Sequence, residues 1–217
     1  MNLLGQAIRV LSAVACCLAF AAPLAARTIE LTDEDCERVA AIAAEAPRLS
    51  WAGSEIAAGS YMVRYIDVMP TRSFLICYPL ERIPKGQKIT SAEWVIPVML
   101  TNAGEQKLHV RRIVGNWGAG VCHTYRAVLP EKIPWSTPGA KGSAIDRALQ
   151  SSGVAHVTGA GNITLNVTDD VQLWYTGAVA NQGWILNVEE PRGMVRLHSP
   201  LVQGRGHWKL RITYEPE

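Results

Sequence analysis

The sequence predicts an all-β fold: a jelly-roll-type antiparallel β-sandwich with a short N-terminal α-helix and one short helix between late strands. Three observations carry this. Short runs of alternating apolar and polar residues recur between Gly-, Pro- and Asn-rich turns, enough for roughly eight to ten strands. The stretch from Asn162 to Leu186, NITLNVTDDVQLWYTGAVANQGWIL, reads as strand, one or two turns of helix, loop and strand. Four of the seven tryptophans (Trp94, Trp174, Trp184 and Trp208) fall at inward-looking phases of these elements.

In the opening 26 residues Arg9 supplies a weak positive charge, Val10 to Ala22 is an uncharged apolar run, and Ala25-Ala26 offers small residues before Arg27. This pattern predicts a secretory signal peptide over 1–26, hence an exported chain with no stable membrane span once it is removed. Without Arg9 the 21 basic residues become 20, against 19 acidic ones. That balance argues against a general nucleic-acid binder. Cys36, Cys77 and Cys122 would remain, an odd count that sequence alone pairs in three ways.

Residues 27–60 are expected to form a helix and a loop. Thr32-Asp33-Glu34-Asp35 resembles a capping box, and a helix from about Asp33 to Ala46 would stop at Pro47. Cys36, Val39, Ala43 and Ala46 would line one side and pack on the sandwich as an add-on. Were that helix to cover the proper face, Cys36 and Cys77 could meet.

The sandwich itself is expected over 61–217. Tyr61 to Val68 and Ser73 to Leu80 are its first strands. Phe74, Ile76, Tyr78 and Leu80 share one face, and Cys77 turns away. Ile89 to Leu100 follows, with Ala92, Trp94, Ile96 and Val98 on one side. Pro97 lacks an amide donor, which places it at an edge or beside a bulge. Leu108 to Val114 is a strand. Gly115 to Asp146 is too rich in Gly, Pro and Trp for a regular element, and a connection of this length is usually functional or disordered. A short helical turn is expected within Ser143 to Gly153.

In the late unit Asn162 to Val167 is a strand and Thr168 an N-cap. Asp169 and Asp170 sit in the first helical turn, Val171 and Trp174 share a face, and Gly177 ends the helix. WILNV, Met194 to His198 and His207 to Glu215 complete the strands. In the last of them Trp208, Leu210, Ile212 and Tyr214 point inward.

The segments Val171-Gln172-Leu173-Trp174, Gly177 and Asn181-Gln182-Gly183-Trp184 resemble a series found in the DNRLRE family of extracellular domains. Asn166-Val167-Thr168 stands where that family carries Asp-Val-Thr. Ile83-Pro84-Lys85-Gly86, Ile89-Thr90-Ser91-Ala92-Glu93 and Pro138-Gly139-Ala140-Lys141-Gly142 extend the likeness over about Tyr61 to Tyr214. It departs at Trp94, where the family has Leu. The resemblance implies a jelly-roll sandwich and a non-catalytic role in binding polysaccharides, acidic ones such as alginate included.

The residues themselves point the same way. Indole faces match the C–H faces of sugars, and polar neighbours hold their edges. Trp117 and Trp135 in the irregular connection, with His123, Tyr125 and Arg126 and support from Arg112, are the expected ligand contacts. Arg111, Lys132 and Lys141 lie near in sequence and would favour an acidic sugar. The expected partner is a polysaccharide or cell-surface glycan. A structural matrix or surface-layer protein is the alternative, and a small polysaccharide-degrading enzyme the third reading. No His-Glu-x-x-His, Gly-x-Ser-x-Gly or P-loop pattern appears. No cofactor is expected; a structural calcium ion would suit such a sandwich, although no loop has a specific ligand spacing.

Overall fold

Period-two alternation organises the chain into fourteen strands among the described residues. The computed structural model describes residues 25–52, 65–102, 104–200 and 207–217. In order these are β1 (Arg27–Thr32), β2 (Arg38–Ala43), β3 (Trp51–Ala52), β4 (Tyr65–Val68), β5 (Arg72–Cys77), β6 (Gln87–Thr101) and β7 (Gln106–Arg112). Next come β8 (Tyr125–Ala127), β9 (Ile133–Pro134), β10 (Gly153–Val157), β11 (Gly161–Asn166), helix α1 (Thr168–Tyr175), β12 (Trp184–Val188), β13 (Val195–His198) and β14 (Lys209–Pro216). The expected signal peptide falls outside the described residues except for Ala25 and Ala26, and so does the start of the strand expected from Tyr61.

Two six-stranded antiparallel sheets make an all-β sandwich. The first is built on β6. Its one edge carries β11; its other edge carries β14 and then β13, which are flanked by β1 and β4. Pro97 falls where β14 has ended, at Val95, and β13 has not yet begun, at Val98. The missing amide therefore sits at an interruption of the ladder. The second sheet runs β10-β7-β12-β5-β2-β3.

The main core lies between the sheets. Ala92, Trp94, Ile96 and Val98 of β6 face Phe74, Ile76, Leu108, Val110, Trp184 and Leu186 of the second sheet. Trp94 and Trp184 stack across the gap with ring centres 4.7 Å apart. Trp174 of α1 meets Trp184 edge-on at 4.6 Å, and Trp208 packs on Trp94 at 5.7 Å and on Phe74 at 5.5 Å. All four tryptophans expected in the core are there.

The N-terminal segment corrects the expectation of a helix. The capping box is present, but it caps only a three-residue 3-10 turn, Asp33–Asp35. The chain then extends as β2, which pairs with β5 from Arg38 opposite Cys77 to Ala43 opposite Arg72. Alanine's helix preference is weak beside a full ladder and a buried position for Ala40 to Ala43. The sheets thus begin at Arg27 rather than at Tyr61, because β1 pairs β14 and β2 pairs β5. Cys36 packs toward the main core while Cys77 lies on the opposite face of the second sheet; both are free thiols, as is Cys122. Burial pushes the Cys77 thiol up to about 11.

Residues 113–152 fold back over the outer face of the second sheet. Ile113, Trp117, Val121, Trp135 and Ala140 close a second apolar cluster with Ala40, Ile42, Leu75, Cys77 and Ile185. The helical turn expected after Ser143 is instead a set of turns and isolated bridges at Arg147.

Candidate functional site

The connection is an ordered flap, and its tryptophans pin it. Trp117 and Trp135 are each 3% exposed. Trp117 Nε1 donates to the Gln182 carbonyl at 2.8 Å, and the Arg38 guanidinium lies 4.8 Å above its ring. Trp135 Nε1 donates to the Cys122 carbonyl at 2.9 Å. Neither ring offers a free face for a sugar, so the expected stacking platform is corrected. Their area is used against the outer face of β2, β5 and β12.

Asp146 holds the flap together. It is buried, and its carboxylate accepts from Ser136 N, Ser136 Oγ, Thr137 N and Gly142 N at 2.9 to 3.0 Å. A Cβ at position 142 would stand 1.8 Å from Ser136 Oγ and 2.6 Å from Asp146 Oδ2, so the backbone can approach the carboxylate only as glycine.

The other expected contacts separate. His123 and Arg126 are half-buried in the flap. His123 stands against Gly139, and burial first and the nearby Lys141 second lower its pKa. The Arg126 guanidinium lies beside Gly115 and the site of Trp135. Tyr125 is half-buried and paired opposite Pro134. Arg112 belongs elsewhere. It shares the inward phase of Leu108 and Val110 on β7 and pairs with Asp170 of α1 at 2.9 Å. Lys141 donates to the Pro70 carbonyl, and Arg111 points to the outer face, pairing with Glu189. The basic residues that cluster in sequence do not form one surface.

Arg112 instead marks a groove at the end of the sandwich. It holds about 590 Å³ and is lined by Thr90, Arg112, Gln150, Ser152, Asp169 and Asp170 among others. Its lining comes from the end of β7, the loop before β10 and the N-terminus of α1, with Thr90 of β6 and Asn166 at the end of β11. Val167, not Thr168, is the helix N-cap. Thr168 Oγ1 accepts from Ala92 N at 2.8 Å and donates to Asn166 Oδ1 at 2.7 Å, tying α1 to β6. Asp170 accepts the Trp184 indole N–H at 2.7 Å. Its pKa is raised, because burial outweighs the bonds from Ser152 and Trp184 and the Arg112 charge.

Sequence reasoning passed over Asp170, Ser152, Thr90 and Gln150. Asp170 was explicable as a first-turn acid, and the other three are ordinary surface types. The available signal was phase: Arg112 falls on the inward side of an alternating strand, where a charge needs a partner.

A raised carboxylate pKa has a definite pH consequence. Below the ordinary value of 3.8 the Asp170 carboxyl is protonated in both folded and unfolded chains. Between that value and the raised folded one, the native state holds the extra proton, so its contribution to stability falls as pH rises. The stability difference between the native chain and Asp170→Asn should therefore move toward the native chain on acidification through that window. Urea unfolding at a series of pH values measures it; a pH-independent difference would contradict the assignment.

Among the described residues no group of three His, Cys, Asp or Glu side chains is placed to hold a metal ion, and no helix is long and apolar enough to cross a membrane. The sequence matches no protein-family model and no curated protein.

Proposed function

We propose that the protein is an exported, non-catalytic carbohydrate-binding module whose ligand lies in the groove between β7, the loop before β10 and α1. The observation that carries this reading is the groove's lining. Hydroxyls of Thr90, Ser151 and Ser152, carboxamides of Gln150 and Asn166, and one arginine–carboxylate pair surround about 590 Å³. Such a set gives and accepts many neutral hydrogen bonds and offers little apolar area, which suits a hydroxyl-rich ligand. Asp169 and Asp170 face the single Arg112, so a neutral glycan fits better than an acidic one. Cleavage of a glycosidic bond would need a second carboxyl across the bond from the first; Asp169 and Asp170 are neighbours on one helical turn. The resemblance to DNRLRE domains supports binding of this kind, and export rests on the N-terminal sequence pattern.

The test is electrophoresis of the mature protein in native gels containing neutral and acidic polysaccharides. Gln150→Ala with Asp169→Ala changes two exposed lining residues and leaves the Arg112–Asp170 pair intact. Retardation by a neutral glycan should weaken about tenfold in this variant, the loss of one or two hydrogen bonds. Retardation that the variant leaves unchanged would place the ligand elsewhere. No retardation, together with concentration-dependent association, would favour the structural reading; Val114, Ile145 and Leu149 are exposed apolar residues suited to contacts between copies.

A further inference from the structure

Adjacent residues of a strand face opposite ways. Arg112 enters the groove, and Arg111 emerges on the outer face of the second sheet beside His109, two residues earlier. Arg147 comes over from the flap. Its backbone is held by Arg147 N donating to the Gly142 carbonyl and by its own carbonyl accepting Ala144 N. Its Nη1 donates to Asn187 Oδ1 at 2.8 Å, and Asn187 Nδ2 donates to Ser73 Oγ at 2.6 Å. A chain of fixed hydrogen bonds therefore positions this guanidinium beside the other.

Three basic side chains converge on one carboxylate. Glu189 lies 2.8 Å from Arg111 and 3.9 Å from both Arg147 and His109. The basic side chains are 12%, 14% and 16% exposed, whereas Glu189 is 45% exposed. Arg111 Nη1 approaches Glu189 without the alignment of a hydrogen bond, and His109 Nδ1 is buried with no hydrogen-bond partner among the described residues. Asp146, the other carboxylate felt by Arg147, is committed to Ser136, Thr137 and Gly142. Burial first and the neighbouring Arg111 second lower the Arg147 pKa, against the opposing pull of Glu189 and Asp146. Two arginines removed from water need more oxyanion contact than one half-solvated glutamate supplies.

We propose that Arg111, Arg147 and His109 form an oxyanion site on the outer face of the second sheet, which takes the carboxylate of a small acid in place of the Glu189 carboxylate. The site is independent of the groove, from which β7 separates it. Glu189 is the internal occupant, and its exposure lets it swing aside. A carboxylate in its place could engage Arg111 and Arg147 together, and His109 gives a further donor. The carboxylate could come from a free organic acid or from an acidic sugar; the chemistry recognised is the same.

Thermal unfolding of the full mature chain tests it, with sodium acetate, malonate and glucuronate each titrated against sodium chloride at equal ionic strength. A saturable rise in melting temperature is expected with at least one carboxylate and not with chloride. Glu189→Gln removes the competitor and should lower the half-saturating concentration about twofold to fivefold, the worth of a partly exposed ion pair. Arg147→Gln and Arg111→Gln should each abolish the saturable rise. Preference for malonate identifies a free acid as the ligand, and preference for glucuronate identifies an acidic sugar. The proposal fails if neither the native chain nor Glu189→Gln gives a saturable rise, a result that needs neither arginine variant to fold. It fails equally if the rise survives in both arginine variants.

Discussion

Trp184→Ala is expected to remove about 4 kcal/mol of stability, the usual cost of truncating a fully buried aromatic. Trp184 is 0% exposed and stands where three elements meet. Its ring stacks on Trp94 of the first sheet and takes the edge of Trp174 from α1, and its Nε1 donates to Asp170. Alanine would open a cavity between the sheets and leave a buried carboxylate with one donor fewer. Domains are commonly stable by about 5–15 kcal/mol, so much of the margin would go. For a chain of this length the melting temperature should fall by on the order of 10 °C. Trp184→Phe separates the two parts of the loss. It keeps most of the apolar volume and loses the indole donor, so about half the destabilisation should remain. Urea unfolding of the three chains measures this. A Trp184→Ala chain within about 0.5 kcal/mol of native, the scale of a surface substitution, would mean that the stacked tryptophans are not the centre of the core.

The strands were legible because alternation is written in the residues that bury. WILNV is β12 to the residue, and Ala92, Trp94, Ile96 and Val98 face the core as their phase requires. The N-terminal segment was not legible, since Arg38 to Ala43 sets three alanines, which suit a helix, beside Val39 and Ile42, which suit a strand, and the ladder with β5 decides between them. The sites were less legible than the fold for a related reason. An irregular connection can use Trp117 and Trp135 either to pin itself or to meet a ligand, and composition does not show that the sheet beneath has an apolar outer face. That face is made by Ala40, Ile42, Leu75, Cys77 and Ile185, from three strands far apart in sequence. Arg112 was found, but its partner Asp170 lies 58 positions later, and pairing over such a separation has no local signature.

Asp146→Ala is expected to cost about 3 kcal/mol and to act on the flap first. One buried carboxylate serves four donors, and alanine would leave the Ser136 amide and hydroxyl and the Thr137 and Gly142 amides without an acceptor. The two oxygens are unequal: Oδ1 accepts one bond and Oδ2 accepts three. Asp146→Asn should therefore recover about half of the loss, provided its single oxygen takes the three-donor side and its amide nitrogen faces only Ser136 N. Hydrogen exchange locates the damage. In the alanine variant the amides of Thr137 and Gly142 should lose protection while those of β12 keep theirs, because β12 is held between β7 and β5 without the carboxylate. Trp135 would be uncovered by the same opening, so the emission of the variant should shift toward that of a solvated indole. If β12 and the flap lose protection together, the second apolar cluster is not a separable layer: the sandwich and its covering would then fold as one unit, and the outer face of the second sheet would depend on Asp146 as fully as the flap does.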